Sequence, residues 1–90
     1  MGKSDLIEDE TSLAYRLSNL RKDHDLSQKQ LADQLHVTHS QISRIESGEI
    51  KNPNISIVID AARFFHVSTD YLLGITQITS PKSYDISELR

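Results

Sequence analysis

The sequence predicts an all-α protein, a compact bundle of five short helices, and three observations predict it. Apolar residues recur at helical spacing through the middle of the chain. Hydroxyl or amide side chains stand where those helices would begin. Residues 75–90 alternate only weakly, and no stretch carries a convincing strand signal. The first helix runs from about Thr11 to His24, with Leu13, Leu17 and Leu20 on one stripe and Arg16, Asn19 and Arg21 away from its centre. The second opens Ser27-Gln28-Lys29-Gln30. Ser as cap with Gln three positions on is a capping box, in which two backbone groups are satisfied reciprocally. Leu31, Ala32 and Leu35 are its apolar face.

A second capping box, Thr38-His39-Ser40-Gln41, follows eleven residues after the first and opens the third helix. Ile42 and Ile45 are its buried pair, and Gly48 is placed to end it in the left-handed conformation. The Asn52-Pro53-Asn54 turn supplies a cap for the fourth helix, about Ile55 to Phe65, with Ile55, Val58, Ala62 and Phe65 on one stripe. A fifth, very short helix starts at the Ser68 cap and ends at Gly74, with Tyr71, Leu72 and Leu73 apolar. One turn chemistry occurs twice. Leu35-His36-Val37-Thr38 and Phe65-His66-Val67-Ser68 share an apolar helix end, a His that tolerates the left-handed region, a Val and a hydroxyl cap.

Ninety residues make one domain. Residues 1–10 read as an acidic N-terminal arm, 11–74 as the helical domain and 75–90 as a C-terminal tail suited to interaction or dimerisation. The absence of Cys excludes a disulfide scaffold, a thiol nucleophile and a cysteine-ligated metal. No apolar run reaches a membrane span, and the start lacks a signal-peptide core, so a cytoplasmic protein with no membrane partner is expected. Net charge is −3, unevenly spread. Residues 1–10 hold one Lys and four acids, whereas residues 11–51 hold six bases and five acids. Partner choice follows the local face more than the total.

The second and third helices, joined by a three-residue turn and capped separately, make a helix-turn-helix. On the third, Ser40, Ser43 and Arg44 lie opposite Ile42 and Ile45, with His39 and Gln41 on the rims and no acid among them; Glu46 faces sideways. Such short or forked donors and acceptors can reach base edges in a major groove. The start of the second helix, with its free N–H groups, Gln28 and Lys29, suits a phosphate.

These residues resemble the Cro and phage-repressor (XRE-type) helix-turn-helix proteins, from about Leu13 to Gly74. The resemblance is carried by Leu26-Ser27-Gln28-Lys29-Gln30-Leu31-Ala32, by Val37 through Gly48, and by Val67-Ser68-Thr69-Asp70-Tyr71-Leu72-Leu73-Gly74. It implies that His39, Ser40 and Arg44 read bases with Gln41 and Ser43 as neighbours. It further implies that Gln28 clamps phosphate, with Ser47 and Lys51 on the loop near the backbone; Lys29 and Thr38 are expected to contact phosphate beside them. It implies an ion pair between Arg21 and Glu46. The family usually has Gly where His36 stands.

The expected function is a sequence-specific transcriptional regulator, a repressor that binds a pseudo-palindromic double-stranded DNA operator as a homodimer. It is not expected to be an enzyme. The wide apolar stripe of the fourth helix, about 220° including Ile57 and Phe64, suggests the dimer contact. The alternative is a protein-interaction module on the same scaffold, an antitoxin or partner-controlled regulator whose tail docks on another protein. No cofactor and no metal are expected, since His36 and His39 lie across a helix break with no third ligand.

Overall fold

The computed structural model describes residues 12–79 and folds them into five helices, with no strand among the described residues. These are α1 (Leu13–Asp23), α2 (Gln28–Leu35), α3 (His39–Ser47), α4 (Ile55–Phe65) and α5 (Thr69–Leu72). Each begins at a polar cap. The Ser12, Ser27, Thr38 and Ser68 hydroxyls accept from the N–H three residues on, and Asn54 accepts from Ser56 N–H. Both capping boxes close, with Ser27 N–H donating to Gln30 Oε1 at 2.7 Å and Thr38 N–H to Gln41 Oε1 at 3.1 Å.

The helix ends are equally local. After α1, α2 and α4 the chain turns through Asp25, His36 and His66 at φ of 58°, 59° and 59°, and the next residue's N–H reaches back five positions. Those bonds are Leu26 to Arg21, Val37 to Ala32 and Val67 to Ala62, at 3.1, 2.9 and 3.0 Å. Each is the long bond of a Schellman ending, which drops an apolar residue back toward the core. His36 adopts the left-handed geometry that a Gly would take there.

The core gathers Leu17, Leu31, Leu35, Ile42, Ile45, Val58, Phe65 and Leu72 from all five helices. Packing α2 on α3, α1 on α3 and α4 on α5 brings them together. Two expectations change here. Ile55 is 58% exposed because it is the first residue of α4, ahead of the Ile57–Val58 pair where burial begins. Ile57, expected at a dimer contact, keeps only 8% of its surface and lies with Val58, Ala61, Ala62 and Phe65 in the core. The domain uses more of that wide stripe than its size suggests. Phe64 is half-buried, its ring edge-on to Phe65 at 5.0 Å.

Arg16 is the largest departure from the helical wheel. It is 5% exposed, and its Nη1 donates to the carbonyls of Tyr71 and Thr76 at 2.6 and 2.7 Å. The guanidinium also sits 4.1 Å from the centre of the Tyr71 ring. A cation can be buried at this cost only because carbonyl oxygens and a ring face replace water. Arg16 thereby ties the segment after α5 to α1. The N-terminal arm and the tail beyond residue 79 lie outside the described residues. No helix among the described residues is long and apolar enough to cross a membrane.

Candidate nucleic-acid interface

Two buried residues aim α3. Ile42 and Ile45, 0% and 1% exposed, face the core, so the opposite flank must face solvent. His39, Ser40 and Arg44 are exposed there, and Ser43 and Gln41 are half-exposed at the edges. The acid on this helix points the other way. Glu46 is 6% exposed at its side chain and takes Arg21 in a two-point grip, Nε to Oε2 at 2.7 Å and Nη2 to Oε1 at 3.0 Å. Arg21 Nη1 donates to the Leu26 carbonyl at 2.7 Å, which holds the turn before α2 in the same network. The structure thus brings Arg21 and Glu46 together, and none of α3's own residues places a negative charge on its outer face.

The network continues to the front of the site. Gln28 Nε2 donates to Glu46 Oε1 at 3.0 Å, and Gln28 Oε1 lies 3.1 Å from His39 Nε2. The first residue of α2 and the first residue of α3 are therefore in contact, and both are anchored through Glu46 to α1. Beside them, the cap leaves the N–H groups of Gln28 and Lys29 at the open end of α2, where helix geometry directs them outward. Lys29 is exposed, 3.7 Å from Asp33. A surface pair of this kind is held weakly and yields readily to another anion.

Three of the expected contacts are already engaged. Gln41 Oε1 closes the Thr38 cap, accepting from both the backbone N–H and, at 3.3 Å, the hydroxyl, so its amide nitrogen is the end left for another partner. Thr38 Oγ1 also accepts from Gln41 N–H at 3.1 Å. Ser47 Oγ donates to the Arg44 carbonyl at 3.1 Å and accepts from Glu49 N–H at 3.2 Å, closing the end of α3. Lys51 is exposed on the following loop. Sequence reasoning missed Glu49, whose carboxylate lies 3.9 Å from Arg44 Nε. It sits beyond the helix-ending Gly48, where wheel spacing no longer applies. Sequence reasoning also gave Gln28 one role, whereas its amide spans Glu46 and His39.

Two short helices joined by a sharp turn, the second outward-facing, are a helix-turn-helix, and family comparison agrees. The helix-turn-helix family HTH_3 matches residues 17–72. This chain belongs to that family. It is 39% identical over 67 residues to the HTH-type transcriptional regulator YobD of Bacillus subtilis (strain 168), covering 74% of this chain and 59% of YobD. It is 38% identical over 76 residues to the HTH-type transcriptional activator BcrR of Enterococcus faecalis, covering 83% of this chain and 37% of BcrR. The chain thus spans about three-fifths or less of the length of these relatives. Among solved structures, the P22 c2 repressor in complex with synthetic operator 9T superposes with a TM-score of 0.67 at 26% identity. That match covers 72% of this chain and 97% of the repressor. The fold and the relatives are those of transcriptional regulators, not of enzymes.

Proposed function

We propose that this chain is a sequence-specific DNA-binding regulator that works in the cytoplasm by occupying its operator. The observation that carries the reading is the exposed, acid-free flank of α3 beside the open N-terminal end of α2. In this reading His39, Ser40 and Arg44 meet base edges, with Ser43 and the Gln41 amide nitrogen at their margin. Gln28, Lys29 and Lys51 grip phosphates on either side, and Thr38 and Ser47 brace the two ends of α3 against the backbone. Similarity to an operator-bound repressor supports DNA as the partner. Occupancy that blocks promoter access makes the chain a repressor.

Binding is as a homodimer on a pseudo-palindrome whose half-sites lie about one helical turn (10–10.5 bp) apart. Phe64, half-buried on the surface of α4, is the contact that this helix offers. Selection from a random DNA pool, followed by anisotropy at several salt concentrations, tests the whole reading. A symmetric site bound with a steep salt slope is expected. Absent or salt-insensitive binding overturns it.

A second reading, a protein-interaction module, is favoured by Ile75 and Ile78, which are 69% and 58% exposed. Light scattering of the purified chain separates the two. A dimer that binds DNA unaided supports the first, and a monomer that binds none supports the second.

A further inference from the structure

Hydrogen-bond polarity along the interface network determines which kind of base His39 can read. Glu46 is the fixed point, because a carboxylate paired with Arg21 only accepts. Gln28 must therefore turn its NH2 end toward Glu46, which points its carbonyl oxygen at His39. A carbonyl oxygen also only accepts, so His39 Nε2 must carry the hydrogen and donate it. In a neutral imidazole with Nε2 protonated, Nδ1 has no hydrogen and offers a lone pair. Among the described residues nothing bonds to Nδ1, and the ring stands on the exposed flank of α3.

We propose that the Arg21–Glu46–Gln28 chain sets the tautomer of His39, so that Nδ1 meets the major groove as an acceptor and selects a base bearing an exocyclic amine. In the major groove that amine is N6 of adenine or N4 of cytosine. Guanine shows only acceptors there, N7 and O6, and thymine shows O4 and a methyl group, so both are disfavoured at this position. Gln28 is then a positioning residue. It determines the kind of base that His39 accepts, in addition to any phosphate it touches. The inference rests on the DNA-binding reading above and refines one position of it.

The test uses the intact chain at about pH 8. Operators from a random-pool selection are varied one base pair at a time, and His39→Ala identifies the pair whose preference it erases. Wild type should favour adenine or cytosine there roughly threefold to tenfold over guanine or thymine, the span of one hydrogen bond. Gln28→Ala should flatten that preference to under about twofold while leaving the preference at the Arg44 position intact. A residue that only grips phosphate would instead weaken all sequences equally. Nitrogen NMR of the free protein should show His39 protonated at Nε2 alone. Guanine at the His39 position, a proton on Nδ1, or a preference untouched by Gln28→Ala overturns the inference. A wild-type chain that binds every sequence alike overturns the functional reading itself, and wild-type anisotropy alone reveals that.

Discussion

Between α2 and α3 the backbone turns through His36, Val37 and Thr38, and between α4 and α5 it turns through His66, Val67 and Ser68. The two histidines have φ and ψ of 59° and 41°, and 59° and 43°, so the corners are nearly superimposable. Both valines reach back five residues, and both hydroxyls cap the following helix. The corners differ in what completes them. Thr38 N–H is taken by the Gln41 side chain three residues on, whereas Ser68 N–H donates to the carbonyl of Thr79 at 3.0 Å. Tyr71 holds the place of Gln41 and cannot return that bond; its carbonyl is bound by Arg16 instead. The helix with the self-closing cap, α3, runs nine residues with one flank in solvent. The helix whose cap is completed from a distance, α5, has four residues before Gly74 at φ 82° ends it, and it is fastened to α1 and to the chain that follows. The corner is a local device, and the third residue beyond its hydroxyl cap determines whether that cap is closed from within the next helix or from elsewhere in the chain.

The largest expected effect strikes both corners through the residue ahead of each histidine. Leu35 and Phe65 are each 4% exposed. Truncation to Ala at either should cost about 2–5 kcal/mol by urea denaturation, with Phe65 at the upper end. An equal, small cost at both would mean that the corners are not packed as described. Arg16→Met should come next, at about 2–3 kcal/mol, because two carbonyls lose their charged donor. Amide exchange should then rise around α5 and stay low around α3, which separates the remotely completed corner from the self-closing one.

Arg44→Ala should lower affinity for a selected operator by about 1–3 kcal/mol in anisotropy while leaving the melting temperature unchanged. Wild-type binding to operator and random DNA alike by this variant would remove Arg44 from the reading face. His36→Gly and His66→Gly should each raise stability by under about 1 kcal/mol, since Gly removes the left-handed strain but loosens the unfolded chain. Unequal gains in thermal melts would show that the two corners differ in strain despite their matching angles. The smallest effect belongs to Glu49→Gln. Removing an exposed acid near Arg44 should tighten operator binding by roughly twofold to fivefold.

The helices and their corners were legible because the signals are short-range. Ser27 with Gln30, Thr38 with Gln41, and the repeated His-Val-hydroxyl pattern each specify a bond within a few residues of the chain. What was not legible depends on partners far away. Nothing near Arg16 announces that carbonyls 55 and 60 residues later will bury it. Ile57 looked surplus to the core because the stripe width was judged on α4 alone, whereas neighbouring helices determine how much of it is covered. The exposed side of α3 followed from Ile42 and Ile45, but the bonding of that flank did not. The Arg21–Glu46–Gln28–His39 contacts join three helices, and pairing of that kind has no periodicity to read.

The clamp on α3 engages only its two ends and its inner surface: Gln28 at His39, Arg21 at Glu46, and the core at Ile42 and Ile45. Ser40, Ser43 and the Arg44 side chain take no part in holding the helix. Those three letters can therefore be rewritten without disturbing the frame that presents them. On the proposed reading, a descendant of this chain could be retargeted to a new address on the genome by swaps at these positions alone, its architecture inherited unchanged.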